Sequence, residues 1–390
     1  MRIAFVSTYP PTHCGVAEYT RMLISALKSV LSHIDIYVLC DVDGNEERFD
    51  GEAKAYVYPV FMRGSSKYGK ILDVLSSIGG VDIIHVEHEY GIFGDTSAIL
   101  DICVRAREEG LVKKVVFTMH TIHHPLSGRV GALDFQRKLD LADAVIVHSY
   151  LQEFEIQHQG VDPLKIYRIP HGTYMNPYLG IPRFRLMEEL NLGKYSVKGI
   201  IAVVPGFLRM DKGLDILIEA IRLLNRGSDV TVIAAGEVRD KGVIDIIESA
   251  RSRFNLVFIE RYLSNEEMLK LIALADVVAL PYRDKRGLYS VSGILHLSMG
   301  SFKPIIGTRA PRLIELYQFA PRLTVPPRNP SELAKKMNWL IENYDYAVAY
   351  MAYMYGYAVR TQWIRMARRH LSLYLNILKQ QIKQQNKYFQ

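Results

Sequence analysis

Five short stretches of this chain place polar or charged residues where they could meet an anion or a sugar. In Pro205-Gly206-Phe207-Leu208-Arg209-Met210-Asp211-Lys212-Gly213, two cations and two glycines separate a Val/Ile run from a helix-period segment. At a helix start, unpaired N–H groups, the helix dipole and nearby cations converge on negative charge, and a diphosphate fits that chemistry. The pattern is neither Gly-x4-Gly-Lys-Ser/Thr nor Gly-x-Gly-x-x-Gly; the plainer reading is a solvated basic helix start. Pro281–Gly293 is a long basic loop ending at Ser292-Gly293, where Ser caps a helix that could face the same phosphates, or it is simply a surface loop. Pro10–Gly15 leads into a small, apolar first helical turn, and Gly15 either admits a ligand or only makes the turn. His85-Val86-Glu87-His88-Glu89-Tyr90 ends an apolar strand, with His85, Glu87 and Glu89 on one face and His88 on the other. Ionisable groups there are costly to bury unpaired and suggest a polar pocket, against a merely hydrogen-bonded strand end. In Thr118-Met119-His120-Thr121-Ile122-His123-His124, His120 closes a strand and suits donation to substrate hydroxyls or a structural hydrogen bond. The histidines lack the His-Glu-x-x-His spacing and any paired Cys, so no metal is expected.

The elements that position these loops alternate. Near-continuous apolar runs at Ile3–Ser7, Ile34–Leu39, Val81–Glu87, Val115–Met119, Ala144–His148 and Ile166–Ile169 read as strands covered on both faces. Helix-period segments separate most of them, the first over about 16–31. After a Pro/Gly-containing break at Asn176–Val197, strands are expected at Gly199–Val204, Val230–Ala235, Leu256–Ile259, Val277–Pro281 and Pro304–Gly307. Ser264-Asn265-Glu266-Glu267 is a capping box, and Asn329-Pro330 is a cap followed by a first-turn proline. The expected fold is α/β, with two doubly wound parallel-sheet domains of the Rossmann kind facing across a cleft. The boundaries expected are 1–178 for the first domain, 179–197 for a linker and 198–350 for the second. A helix over about 351–380 is expected to pack back on the first.

The chain has 390 residues, 49% of them hydrophobic and 23% charged, with a net charge of +7. Its size suits two domains. Three widely spaced cysteines, Cys14, Cys40 and Cys103, exclude a disulfide scaffold and favour a reducing, cytoplasmic setting. No uncharged apolar run reaches the ~18–20 residues of a membrane span. The first residues lack the cleavage pattern of a signal peptide. Lys379–Gln390 is rich in Gln and Lys.

Taken in order, these loops resemble the retaining glycosyltransferases of family 4, which have the GT-B fold. The resemblance runs from about Arg2 to Pro327. It is carried by STYPPTHCGVAEYT at 7–20, HVEHEYGIFG at 85–94, FTMHTIHHP at 117–125, IPHG at 169–172, DKG at 211–213, ADVVALPY at 275–282, SGILHLSMGSFKPIIGT at 292–308 and VPP at 325–327. The first two stretches are similar to a branch whose members are described as mannosyltransferases. The resemblance implies that Gly15 sits against donor phosphate and acceptor, that His120 contacts the transferred sugar, and that Lys212 holds the diphosphate; Gly206 and Arg209 are expected beside the same diphosphate from the chemistry of their own loop. It further implies that Tyr262 and Leu263 lie near the nucleobase, that Ser292 and Gly293 offer N–H groups to the diphosphate, and that His88, Glu89 and Tyr90 line the sugar or acceptor side.

The implied reaction moves a hexose of mannose or glucose type, with retention, from a GDP- or UDP-sugar to a glycan, lipid-linked or small-molecule hydroxyl. No tightly bound cofactor and no nucleic-acid partner are expected. The sequence departs from the family twice: Phe207 stands where an Arg usually follows the glycine, and Tyr289 and Leu297 stand where a Glu-x7-Glu pair is usual. A sugar-nucleotide epimerase or phosphorylase of the same fold, a non-catalytic GT-B partner and a metallohydrolase using His85, His88, His120 and His123 are the alternatives. The basic residues near the C-terminus, Arg360, Arg365, Arg368 and Arg369, would also suit peripheral contact with an anionic membrane at the inner face.

Overall fold

A computed structural model describes residues 1–225 and 227–388, the side chains of 228 and 380–388 aside, so most of the Gln/Lys-rich tail lies outside the described side chains. The strands, in chain order, are β1 (Arg2–Ser7), β2 (Asp35–Asp41), β3 (Arg48–Asp50), β4 (Ala55–Phe61), β5 (Val81–His88), β6 (Val112–Met119), β7 (Thr121–His123), β8 (Ala144–Val147), β9 (Ile166–Arg168), β10 (Ile200–Pro205), β11 (Val230–Ala235), β12 (Asn255–Ile259), β13 (Val277–Leu280), β14 (Leu288–Ser290), β15 (Ile305–Thr308) and β16 (Thr324–Val325).

Two compact units emerge. The first comprises 1–172, 286–291 and 363–390; the second comprises 173–285 and 292–362. These limits differ from the expected boundaries. Residues 179–197 carry a helix, Arg183–Glu189, and Leu186, Leu190 and Leu192 are buried in the core of the second unit. The helix expected over Met351–Leu378 is two helices, Tyr344–Arg360 in the second unit and Trp363–Tyr388 in the first. They part at Thr361, whose hydroxyl bonds back to the Tyr357 carbonyl at 2.9 Å, while Gln362 bridges to Thr173.

The sheet of the first unit has the order β3-β4-β2-β1-β5-β6-β8-β9, parallel throughout except for β3 at its edge. A separate antiparallel pair joins β7 to β14, with Ile122 opposite Tyr289. The sheet of the second unit runs β12-β11-β10-β13-β15-β16, all parallel. Counted within its own unit, that is the doubly wound order 3-2-1-4-5-6. The order in which strands are added therefore reverses at β10/β13 in the second unit and at β1/β5 in the first, with all four strands parallel to their neighbour there. Ligands in such sheets bind beyond the carboxyl ends of the strands at this reversal.

Central strands are buried over almost their whole length, β1 from Ile3 to Ser7 and β11 entirely. That burial follows from their unbroken Val, Ile and Ala content. The capping predictions appear as atoms: Ser264 Oγ accepts from the Glu267 amide at 3.2 Å, Glu267 Oε2 accepts from the Ser264 amide at 2.9 Å, and Asn329 Oδ1 accepts from the Glu332 amide at 3.0 Å.

Candidate functional site

In the second unit, the loops after β10 and β13 meet at the reversal of strand order. Gly213 has φ +72°, and a Cβ on it would stand 2.0 Å from the Pro281 carbonyl oxygen. Only glycine permits that approach. Gly206 is likewise at φ +96°, its Cβ position 2.8 Å from Ile294 in the loop-bearing helix Gly293–Ser298. The Arg283 amide donates to the Asp211 carbonyl at 2.9 Å, and its Nε donates to the Met210 carbonyl at 3.0 Å. These contacts fix Asp211 and Lys212 beside Tyr282.

Asp211 is the hub of a cationic cluster. Arg209 holds both of its carboxylate oxygens at 2.8 Å, Arg312 reaches it at 3.2 Å and Lys285 at 3.7 Å. Burial alone would raise the Asp211 carboxyl, but the charge and hydrogen bonds of Arg209, with Arg312, hold it below the usual range. Lys212 is 9% exposed. Its Nζ lies 2.6 Å from the Tyr282 hydroxyl and 3.9 Å from that ring's centroid. Burial first, then Arg312 and Arg209, pull its ammonium well below an ordinary lysine. Positive charge thus exceeds negative around Asp211, and the part of it on Lys212 is desolvated, which favours the approach of an anion. Arg312, in the loop after β15, escaped the sequence reading. Its signal was a second basic loop, Arg309-Ala310-Pro311-Arg312, at the carboxyl end of a neighbouring strand.

Ser292 caps its helix by accepting from the Leu295 amide at 3.3 Å and lies 3.1 Å from the Tyr282 hydroxyl. Gly293 is exposed at the first turn, Tyr262 is half-buried with its ring 6.0 Å from Phe207, and Leu263 is buried. Arg239 stands over the Phe207 ring at 4.7 Å.

In the first unit, a Cβ on Gly15 would meet nothing within 4 Å, and the residue has no positive φ, so the turn itself does not demand glycine. His120 closes β6 with its side chain 11% exposed, and its Nε2 is 3.0 Å from Glu87 Oε2. Burial raises the Glu87 carboxyl, opposed by its bond to His120. Behind Glu87, His85 is fully buried, its Nε2 2.7 Å from Thr118 Oγ1 and its Nδ1 2.6 Å from the Tyr374 hydroxyl. The Tyr19 ring packs edge-on against His120 at 4.8 Å, His171 at 5.0 Å and Trp363 at 5.1 Å. Tyr374 and Trp363 come from the last helix, too far along the chain for spacing to reveal them.

The stretch 88–90 divides. Glu89 is half-buried and accepts from the Thr121 hydroxyl at 2.7 Å, at the same strand end as His120. Tyr90 is buried, donating to Gln136 Oε1 at 2.7 Å. His88 is not at a surface: it is 0% exposed and stacks on Phe135 at 4.4 Å and Phe93 at 5.4 Å. The expectation that it lines the substrate side is corrected by the pleat, which turns it into the aromatic core. The metallohydrolase reading also loses its cluster. His88 faces that core, both His85 nitrogens have partners, and among the described residues no three His, Cys, Asp or Glu are placed to hold a metal ion.

Two α/β units with parallel doubly wound sheets make this a GT-B-type fold, and solved structures agree. HepE of Anabaena, in complex with UDP, superimposes with a TM-score of 0.71 at 17% identity, covering 96% of this chain and 100% of that one. Sucrose-phosphate synthase of Thermosynechococcus elongatus gives 0.76 at 16%, covering 97% and 99%. A glycosyltransferase of Rickettsia africae gives 0.74 at 16%, also covering 97% and 99%. Residues 14–175 match the family described as Glycosyltransferase Family 4, and residues 199–343 match that described as Glycosyl transferases group 1. Together these matches support a family 4-like glycosyltransferase. No curated protein matches the sequence.

Proposed function

We propose that this protein transfers a hexose of mannose or glucose type from a nucleoside-diphosphate sugar, UDP- or GDP-linked, to a hydroxyl of a glycan, lipid-linked or small-molecule acceptor, with retention. The observation that carries the reading is the convergence of Arg209, Arg312 and Lys285 on Asp211, with buried Lys212 next to it on Tyr282, at the strand reversal of the second unit. The presence of UDP in the HepE complex supports the same donor class. As the anomeric C–O bond breaks, the electron pair stays on the diphosphate and the sugar takes on oxocarbenium character. The cations and the Ser292 hydroxyl stabilise the departing charge, and removal of one such preorganised donor typically costs ~10²–10³ in rate. The acceptor oxygen attacks from the face the diphosphate leaves, and its proton passes to a diphosphate oxygen. His120, held by Glu87, contacts the sugar; Gly15 leaves space for the phosphate and acceptor, Glu89 lines the acceptor side, and Tyr262 and Leu263 lie toward the base.

A thermal-shift screen with UDP-, GDP- and ADP-sugars on the wild type and on Lys212→Ala tests this. One donor class should raise the wild-type melting temperature and leave the variant unmoved. Equal shifts in both proteins, or none in either, would refute the assignment.

A second reading, a GT-B protein that binds but does not turn over, is favoured by Leu297 being buried in the core and Tyr289 lying in β14, where the family carries carboxylates. Release of nucleoside diphosphate from a stabilising donor separates the two. The cytoplasm is the proposed setting, in keeping with three free cysteines. No helix among the described residues is long and apolar enough to cross a membrane, and peripheral attachment of the enzyme to an anionic surface stays part of the proposal.

A further inference from the structure

Lys212, Tyr282 and Ser292 form one hydrogen-bonded chain across three segments of the second unit, and the donor and acceptor count along it has a direction. Lys212 Nζ is 2.6 Å from the Tyr282 hydroxyl oxygen, which is 3.1 Å from Ser292 Oγ. All three residues are buried, Tyr282 at 2% exposure. A charged lysine only donates, so with an anion present the Tyr282 oxygen accepts from Lys212 and spends its own proton on Ser292. Ser292 Oγ also accepts from the Leu295 amide at 3.3 Å. Both of its lone pairs are then used, and its own hydroxyl proton has no acceptor assigned among the described residues. The tyrosine is itself tethered, its carbonyl accepting from Thr308 Oγ1 at 2.6 Å. The chain therefore presents donors only: the remaining Lys212 protons at one end and the Ser292 hydroxyl proton at the other.

We propose that Tyr282 is a positioning residue for the diphosphate of the donor, aligning the Lys212 ammonium and polarising the Ser292 hydroxyl so that both donate to phosphate oxygens. This rests on the donor reading above and deepens it. Tyr282 touches no substrate; it acts through its two neighbours, at the point where the loop after β13 passes the loop after β10. A buried hydrogen bond to a charged group is worth enough that losing the relay should weaken diphosphate binding about tenfold.

The test is calorimetric titration of wild type, Tyr282→Phe, Ser292→Ala and the double variant with UDP and with uridine, and in parallel with GDP and guanosine. Trp339 fluorescence monitors the folding of the second unit. Tyr282→Phe should lose about tenfold in affinity for the diphosphate that the wild type binds, while its affinity for the matching nucleoside stays within about twofold. In the Ser292→Ala background the added loss should shrink, because the same relay is already broken. A Tyr282→Phe protein that binds the diphosphate like wild type would overturn the inference and leave the donor reading standing. So would one that loses nucleoside and diphosphate alike, or losses that add in full. A wild type that binds neither UDP nor GDP would overturn both.

Discussion

His88 offers a test that needs no substrate. Its ring is enclosed by Phe135, Phe93 and Tyr90, and neither ring nitrogen has a hydrogen-bond partner. Burial, and secondarily the charge of His120, press its pKa from 6.5 down to about 3. Above pH 6.5 both folded and unfolded chains hold the ring neutral, and pH has no leverage. Below that, the unfolded chain binds a proton the folded one refuses, so stability falls by about 1.4 kcal/mol per pH unit until the folded pKa is reached. At pH 5 the loss is about 2 kcal/mol from this residue alone. The chain has two tryptophans, Trp339 and Trp363, and Trp363 belongs to the first unit. Urea unfolding of Trp339→Phe and of Trp339→Phe/His88→Leu, followed by Trp363 fluorescence at pH 7.5, 6 and 5, isolates the effect. Other titrating groups are common to both proteins and cancel in the difference. The protein that keeps His88 should lose about 2 kcal/mol relative to the His88→Leu variant between pH 7.5 and 5. Parallel pH curves would refute the reasoning and return His88 to a solvated surface.

Three further outcomes are expected. Gly172→Ala places a Cβ 2.1 Å from Trp363 Cδ2; unfolding free energy should fall by about 3 kcal/mol, and the same substitution should cost clearly less in a Trp363→Ala background, as read by circular dichroism during urea unfolding. Tyr374→Phe removes the partner of buried His85 Nδ1, which should lower stability by about 1–3 kcal/mol in the same assay. Burial depresses the Lys212 ammonium, and an arriving diphosphate would oppose that shift. Proton uptake on UDP binding, read from heats in buffers of different ionisation enthalpy across the alkaline range, should therefore be larger in the wild type than in Lys212→Met.

The strands of both parallel sheets were legible because burial on two faces leaves an unbroken apolar run. Val230–Ala235 matches β11 residue for residue, and Val81–Glu87 stops one residue short of β5. Strand alternation also placed His85 and Glu87 on one face with His88 on the other, and the two stand 3.6 Å apart. Strand β4 was missed because Pro59 sits inside it. The sheet accommodates that proline next to an irregularity in register between Cys40 and Asp41. β14 was hidden in a basic loop, where three residues gain strand form only by pairing with β7. At the site, local cues pointed to Arg209, Lys212 and His120 because each lies at a strand end. Arg312 carried the same cue, a basic loop at a strand end, and was overlooked, whereas Tyr282 and Tyr374 depend on segments brought together by tertiary packing, which no local period records.

The first unit is assembled from three separated stretches of chain, the last beginning at Trp363. On the ribosome, residues 1–172 emerge long before the indole that covers Gly172 and the phenol that satisfies His85. The second unit is complete at residue 362, while the first still lacks its final helix. The histidine-rich face that includes His120 therefore closes only after the chain has grown past Tyr374. Chains truncated at the end of the second unit would strand that face half-built.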